Sequence, residues 1–460
     1  MVRDKDFYRT IFKIALPSAF QALISFLVVI ADNIMVSSLE DGVSAQAAVS
    51  QVNSITAFYT ATILGLAGGS AVLISQYWGR KDMETIKKIF SAVMGFCVFT
   101  SLIFVAITML FPRFVVGIVI GADETEVIKF ATAYFTIVCF SYIPYAISNT
   151  LVSMLRSIEV VKITLYITIM ALFTNISLNY VLIYGKLGLP AMGVAGAAAA
   201  TLITRIIEMI LVWIYTFHVQ KQLTIKPSDL FHTKKWVVKD YIRYGLPVGV
   251  TDMQWSLIGM LKAAIIGQLG AVFMAANNIA NTVLQLGTMF TFALAGGACV
   301  VVGKTVGKED YDTAREYSKT IQILFFFIGL IMAGVVFFIR KPFVSLYGSV
   351  SNPDVYNLSM TMIGIAAITL VGTSYHASCF VGINRGAGDS RFVAIVDMIC
   401  GWLIVLPMTL LAAFVFHWSL PMVFLCTRID QCFKWIIAFF RLRGDKWIKN
   451  VTRKEANLSQ

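Results

Sequence analysis

The sequence has few charged residues for its length. Only 13% of its 460 residues are Asp, Glu, Lys or Arg, whereas a soluble domain carries about 25%. Hydrophobic residues make up 58% of the chain, and the mean hydropathy is +0.79. Because no soluble core could bury so much apolar surface, the composition excludes an ordinary soluble protein and indicates a membrane protein.

The sequence also lacks the patterns of several other protein classes. Its seven cysteines form no CxxC pair and lie in apolar segments, so we expect small buried residues instead of disulfides or a zinc site. The four histidines are scattered, and we predict neither an enzyme nor a bound cofactor. The basic residues form no single patch, and the P-loop-like stretch 297–305 has one residue too many between its glycines. We therefore expect neither nucleic-acid binding nor ATP coupling.

Long apolar runs predict twelve membrane-spanning segments. The predicted spans are 11–37, 46–70, 88–112, 127–152, 163–184, 193–218, 241–267, 272–302, 318–339, 355–383, 392–416 and 420–440. Each can cross a hydrocarbon layer of about 30 Å at 1.5 Å per residue. A span in lipid must be helical to satisfy its own backbone, so the fold class is an all-α polytopic membrane protein.

Lysine and arginine are distributed unevenly among the predicted loops. With the N-terminus inside, 26 of the 37 basic residues fall in cytoplasmic segments and 4 in outer loops. The outer loops instead carry acids at 40, 41, 123 and 124. The positive-inside rule therefore predicts a multi-pass protein of the plasma or inner membrane with both termini cytoplasmic.

The second half of the sequence repeats landmarks of the first at a period of about 229 residues. Pro17 corresponds to Pro247, and Gly79 corresponds to Gly307. Each repeat holds six spans, which gives both halves the same orientation, and the two prolines are predicted helix-bending points. The predicted parts are an N-terminal lobe (1–220), a cytoplasmic linker (221–240), a C-terminal lobe (241–441) and a basic cytoplasmic tail (442–460).

One carboxylate lies deep inside a predicted span. Asp32 interrupts the apolar run 28–36, where a charge costs about 2.5–3.5 kcal/mol on insertion scales. Asn175 and Asn179 share a helix face because they are four residues apart, and Thr201 follows in the next span. Counting along the helices places the side chains at a similar depth. They predict a site for Na⁺ or for a proton. The alternatives are that Asp32 is a structural hydrogen-bond hub or that it lies close enough to the outer surface to be solvated.

Several short motifs follow one another along almost the whole chain. They are Leu16-Pro17, Asp32, Gly68-Gly69 with Gly79-Arg80, and the segments 175–185, 193–201 and 385–389. Together they resemble the multidrug and toxic compound extrusion (MATE) family of the MOP flippase superfamily. The resemblance implies two pseudo-symmetric six-helix lobes around a cleft, and export driven by inward H⁺ or Na⁺ flow. It also implies an ion site in the N-terminal lobe, formed by Asp32, Asn149, Asn175, Asn179 and Thr201.

The C-terminal lobe departs from the family pattern. At the repeat offset, Asp32 corresponds to Lys262, and only Asp252 could replace the acids that NorM-type relatives carry. Lys262 is predicted to pair with an acid, to attract an anionic substrate or to reach the outer interface. His376 is a packed core histidine or a proton relay. Asp397 is a buried acid with no partner evident in the sequence.

These observations predict a secondary active antiporter that exports small organic compounds, cationic or amphipathic, in exchange for H⁺ or Na⁺. We expect a monomer that works in the lipid bilayer, with no metal beyond a possible Na⁺ at Asp32. The alternative is a flippase for lipid-linked precursors in the same superfamily. A flippase would need several cationic residues along the cleft, of which the sequence offers Lys262.

Overall fold

The computed structural model describes residues 2, 4–39, 42–117, 125–346 and 352–453. All regular structure in these residues is helical, in agreement with the predicted fold class. The predicted outer-loop acids at 40, 41, 123 and 124 lie outside the described residues, as does the end of the predicted tail from 454 onward.

The helices follow one another with short connections. The first half of the chain forms α1 (Lys5–Ser37), α2 (Gly42–Arg80), α3 (Met83–Leu110), α4 (Pro112–Gly117), α5 (Thr125–Val138), α6 (Tyr142–Ser157), α7 (Lys162–Tyr184) and α8 (Gly193–Ile214). The second half forms α9 (Lys235–Asp240), α10 (Leu246–Gly267), α11 (Ala271–Gly307), α12 (Tyr311–Leu346), α13 (Pro353–Ala377), α14 (Ser390–Met398), α15 (Leu406–Leu410), α16 (Leu420–Cys426) and α17 (Lys434–Arg443). Wide π-helical turns extend several of them, at Tyr215–Val219, Tyr241–Gly245, Ser378–Asn384, Ile399–Val405 and Leu411–Val415.

Ten helical stretches of the described residues are long and apolar enough to cross a membrane. They coincide with ten of the twelve predicted spans. The predicted seventh span is α10, a helix of 22 residues that carries Asp252 and Lys262. The predicted twelfth span, 420–440, is divided into α16, a 3₁₀ turn and α17. Both segments carry charged residues, which lower their hydropathy.

The two predicted bending prolines occupy different places in their helices. Pro17 lies inside the continuous helix α1. Pro247 lies in the first turn of α10, directly after the π-helical turn Tyr241–Gly245. Proline is tolerated in a first turn because the N–H groups there have no helical partner. Their role as bending points stays a prediction.

The chain divides into two compact units. The N-terminal unit comprises Phe20–Ser70 and Met83–Tyr241, and the C-terminal unit comprises Met1–Ala19, Ala71–Asp82 and Ile242–Gln460. The predicted linker 221–240 thus belongs to the N-terminal unit, while the start of α1 and the end of α2 belong to the C-terminal unit. The lobe boundaries at 220 and 241 stay a prediction.

The repeated glycines mark a close contact of helix ends within the C-terminal unit. A Cβ atom on Gly79 would lie 2.1 Å from the carbonyl oxygen of Lys304. A Cβ on its counterpart Gly307 would lie 2.0 Å from the carbonyl oxygen of Gln76. No side chain fits at these distances, so both glycines let the ends of α2 and α11 pack backbone to backbone.

The cysteines are all free. Six of the seven are buried, as expected of small apolar residues, but Cys432 is exposed. The prediction of burial is therefore wrong for Cys432, which lies in the 3₁₀ turn between α16 and α17.

Candidate functional site

A buried carboxylate–amide cluster connects α1 and α7 in the N-terminal unit. Asp32 is 8% exposed, and Asn175 and Asn179 are almost completely buried. The Nδ2 group of Asn179 donates hydrogen bonds both to Oδ1 of Asp32 and to Oδ1 of Asn175, the second at 3.1 Å. The four-residue spacing on α7 aligns the two amides, and one of them holds the carboxylate of the neighbouring helix.

The cluster keeps spare hydrogen-bonding capacity. Among the described residues, Oδ1 of Asn179 has no hydrogen-bond partner although it is buried, and the same is true of the hydroxyls of Thr201 and Thr204 on α8. Buried polar atoms are nearly always satisfied in folded proteins. An unpaired amide oxygen on the residue that also binds the carboxylate can therefore accept a cation or a water molecule.

A small cavity adjoins the cluster. Its volume is about 30 Å³, which exceeds the space that one water molecule needs. Helices α1, α7 and α8 all contribute to its wall, which consists of Ser25, Val28, Thr168, Ala171, Asn175, Thr201, Thr204, Arg205 and Glu208. Asn175 belongs both to this wall and to the hydrogen-bond chain that reaches Asp32. The cavity thus has Asn175 and Thr201 in one wall, while Asp32 and Asn179 are not among its lining residues.

Asn149 is one step removed from this cluster. Its Nδ2 group donates to the carbonyl oxygen of Tyr145 at 3.2 Å, within its own helix α6. The ring of Tyr145 in turn lies 5.1 Å from the guanidinium of Arg205. Asn149 is therefore not joined to Asp32 by a hydrogen bond among the described residues.

The sequence analysis did not identify an ion pair in the wall of this cavity. Arg205 and Glu208 form an ion pair of 2.7 Å on α8, and both line the small cavity. The same cavity wall contains Asn175, the hydrogen-bond partner of Asn179. The signal was present in the sequence, because opposite charges three residues apart in an apolar run can pair on one helix face.

The C-terminal unit contains a buried charge cluster centred on Lys434. Its ammonium lies 2.7 Å from Asp397 and 3.0 Å from Asp430, and all three side chains are buried. The same ammonium lies 4.3 Å from the ring centre of Trp255, within the range of a cation–π contact. Asp397, for which the sequence shows no evident partner, therefore pairs with Lys434. The sequence did not reveal this partner, because it lies on a different helix.

Two further cations lie near this cluster without an ion pair among the described residues. Lys262 donates to the carbonyl oxygen of Thr427 at 3.3 Å. It follows the buried residue Ile258 by one turn on α10 and faces the interior of the unit. Arg428 donates to the hydroxyl of Thr369 at 2.8 Å. The three cations and two acids of the cluster carry one excess positive charge if all are ionised.

The remaining candidates of the C-terminal unit have local partners. Asp252 forms an ion pair of 2.9 Å with Arg385. The Nδ1 atom of His376 lies 3.2 Å from the carbonyl oxygen of Gly372, one turn earlier on α13, and the His376 side chain is buried. This geometry fits a packed histidine, while a proton relay through His376 stays untested.

Long apolar helices that enclose a buried carboxylate and a cavity lined by polar groups define a polytopic membrane transporter. The comparison with known sequences specifies the family. The MatE family model matches residues 17–181 and 247–436. The chain therefore belongs to this family of membrane transporters.

Curated relatives match over much of the chain. The uncharacterized transporter YisQ of Bacillus subtilis is 24% identical over 449 residues, which cover 97% of this chain and 96% of YisQ. A probable multidrug resistance protein NorM of Listeria monocytogenes is 27% identical over 360 residues, 77% of each chain. The multidrug resistance protein MdtK of Photorhabdus laumondii is 27% identical over 242 residues, 52% of each chain.

Solved structures show the same fold. A MOP superfamily transporter from Pyrococcus furiosus, described as having a binding pocket of reverse polarity, matches with a TM-score of 0.83 at 21% identity, over 94% of each chain. A multidrug resistance MATE transporter in an outward-facing conformation matches with a TM-score of 0.83 at 19% identity, over 97% of this chain and 96% of its own. The chain thus has the twelve-helix fold of MATE transporters.

Proposed function

We propose that the chain is a secondary active antiporter that exports small organic compounds in exchange for H⁺ or Na⁺. The observation that carries this function is the buried carboxylate of Asp32, which accepts a hydrogen bond from Asn179. The amide oxygen of Asn179 is buried and has no partner in the part of the chain that the structure describes. A charge inside a transmembrane helix is expensive and usually marks an ion or substrate pathway. The relatives named as multidrug resistance proteins favour organic compounds as the substrates.

The donor set is compatible with either coupling ion. Oxygen atoms of Asp32, Asn179 and Thr201 would suit Na⁺, a hard cation that prefers oxygen ligands. A single carboxylate would also suit a proton, because protonation removes the buried charge without needing further ligands. A transport assay that imposes an H⁺ gradient and a Na⁺ gradient separately therefore distinguishes the two coupling ions.

Coupling follows if the cation and the substrate favour different conformations. A ligand shifts an equilibrium only by its differential affinity for the two states, so we expect a cation bound at Asp32 to disfavour substrate binding and the reverse. Exchange of one H⁺ for a monovalent organic cation moves no net charge and responds to the pH gradient alone. For a neutral or zwitterionic substrate, 100 mV adds about 2.3 kcal/mol, or roughly a 40-fold concentration gradient.

Asp32→Asn tests the coupling in proteoliposomes that hold a fluorescent organic cation. We expect an imposed pH or Na⁺ gradient to drive dye movement with the parent chain, and expect Asp32→Asn to abolish the gradient dependence. Asp32→Glu is the matched control, because it retains the carboxylate. Full gradient-driven transport by Asp32→Asn would refute the role of this residue. Monomer size in detergent and protease access to both termini from the cytoplasmic side test the remaining expectations.

Two cations of the C-terminal unit that form no ion pair among the described residues favour a second candidate function. Lys262 and Arg428 have neutral hydrogen-bond partners, so they could hold a negatively charged group such as that of a lipid-linked precursor. A flippase would translocate a fluorescent lipid with an anionic head group across reconstituted vesicles and leave the organic cation behind. The antiporter would give the opposite result in the same vesicles.

A further inference from the structure

A groove between α3 and the linker lies apart from the Asp32 cluster. Its volume is about 370 Å³, and all of its walls belong to the N-terminal unit. On one side the wall is a single face of α3, and on the other it is the segment that joins α8 to α10. The lining residues are Ser91, Ala92, Gly95, Phe96, Phe99, Leu230, Thr233 and Val238.

Hydrogen bonds fix the linker against α3 at one end of the groove. The hydroxyl of Ser91 donates to the carbonyl oxygen of Leu230 at 2.6 Å. The hydroxyl of Thr233 donates to the carbonyl oxygen of Lys88 at 3.3 Å. The polar groups of the groove are therefore bonded to backbone carbonyl oxygens at this end. The rest of its lining consists mostly of aromatic, apolar and small residues.

Gly95 forms the floor of the groove. A helical glycine costs about 1 kcal/mol relative to alanine, yet a Cβ at Gly95 would meet nothing within 4 Å. Packing of the helix therefore does not require the missing side chain, and its absence opens the groove. Phe99, one turn further along α3, is 64% exposed. The exposed apolar face continues to Leu102 and Ile103, so the groove opens onto a surface suited to lipid chains.

The mouth of the groove is basic. Linker residues 221–240 contain five lysines and two acids, and Lys234 and Lys235 are exposed beside the lining residue Thr233. Glu84 is already paired with Lys87 at 3.0 Å. Lys88, Lys234 and Lys235 take part in no ion pair among the described residues. Lysines beside a membrane helix attract anionic lipid head groups, each by about the strength of one exposed ion pair.

We propose that this groove binds an anionic glycerophospholipid of the leaflet that the positive-inside rule assigns to the cytoplasm. One acyl chain lies over Gly95 and along Phe99, and the phosphate group lies beside Lys88, Lys234 and Lys235. The groove face from Ser91 to Phe99 spans about 12 Å, so the lysines at one end and the apolar face at the other match the two parts of such a lipid. This site shares no lining residue with the cavity beside the Asp32 cluster.

Native mass spectrometry of the purified full-length chain can test this site with phosphatidylglycerol and phosphatidylcholine of identical acyl chains. Gly95→Trp fills the floor, and the triple variant Lys88→Gln, Lys234→Gln, Lys235→Gln removes the charges of the mouth. We expect Gly95→Trp to displace the most tightly bound phosphatidylglycerol. We expect the triple variant to weaken its binding on the order of 100-fold, with little change for phosphatidylcholine.

Matched controls exist in the C-terminal unit. Gly334 on α12 also has no atom within 4 Å of a Cβ, so Gly334→Trp controls for the added indole. Lys308, Lys319 and Lys446 are exposed, and their replacement by Gln controls for lost charge. Equal binding of both lipids by the parent chain would overturn the assignment. The assignment would also be overturned if Gly95→Trp and the triple lysine variant bound phosphatidylglycerol as tightly as their controls. Saturation of the site by inorganic phosphate alone would overturn it too.

Discussion

Replacement of Lys434 by methionine should strongly destabilise the C-terminal unit. The ammonium of Lys434 bridges Asp397 and Asp430 at 2.7 and 3.0 Å, and all three side chains are buried. Methionine keeps the length of the side chain but leaves two buried carboxylates without their cation. Removal of one partner from a buried pair costs about 3–5 kcal/mol. At about 2–4 °C per kcal/mol for a unit of this size, we expect Tm to fall by roughly 10 °C.

Thermal unfolding of the purified chain in detergent measures this loss. Lys446→Met is the control, because Lys446 is exposed. The double variant Lys434→Met, Asp397→Asn should regain part of the lost stability, because it removes one of the two unpaired buried carboxylates and returns the cluster to the net charge of the parent chain. A Tm change below about 2 °C for Lys434→Met, or a double variant no more stable than the single one, would refute the reasoning.

Lys434→Met also carries a prediction about cations. The two carboxylates that lose the tethered ammonium should bind a monovalent cation, so added Na⁺ should raise the Tm of Lys434→Met more than that of the parent chain. The comparison needs choline chloride at equal ionic strength, because screening alone changes the repulsion between the acids. Equal responses to the two salts would show that the vacated space does not bind Na⁺.

Two further predictions concern packing. Gly79→Ala should lower Tm by several degrees, because its Cβ would lie 2.1 Å from the carbonyl oxygen of Lys304, whereas Gly95→Ala has open space and should be neutral or slightly stabilising. Trp447→Ala should lower the free energy of unfolding by about 3–5 kcal/mol, as for other large buried aromatic residues, because Trp447 is 1% exposed. Trp418→Ala should lower it much less, because Trp418 is 41% exposed. Thermal unfolding measures both, and equal shifts within either pair would contradict the packing.

The Asp32 cluster could be predicted because the spacing of residues within single helices is enough to suggest it. The four-residue spacing of Asn175 and Asn179 places both on one helix face, and a count of residues gives the depth of Asp32. The apolar run 28–36 makes the carboxylate conspicuous. Regular geometry along each helix was therefore enough to suggest that these side chains meet, although only the structure shows that Asn179 is the donor.

The Lys434 cluster was not predictable in this way because its partners lie on different helices. Asp397 and Lys434 are 37 residues apart, and Lys262 and Thr427 are 165 residues apart. Spacing along a helix says nothing about which helix lies beside it. The irregular segment between α16 and α17 also breaks the periodicity on which a residue count depends. The same limit hid the Lys88 contact with Thr233, which is 145 residues away.

The buried carboxylates of the two units differ in whether they have a cationic partner, and this difference concerns the proposed exchange. In the N-terminal unit, Arg205 and Glu208 compensate each other, which leaves the carboxylate of Asp32 with an amide donor and no ion pair among the described residues. In the C-terminal unit, Lys434 already supplies the cation that Asp397 and Asp430 require. A coupling cation would therefore be stabilised by the Asp32 carboxylate in the N-terminal unit. In the C-terminal unit, it would first have to displace the ammonium of Lys434. Under the proposed antiport, this asymmetry favours Asp32 over the Lys434 cluster as the position of the coupling cation.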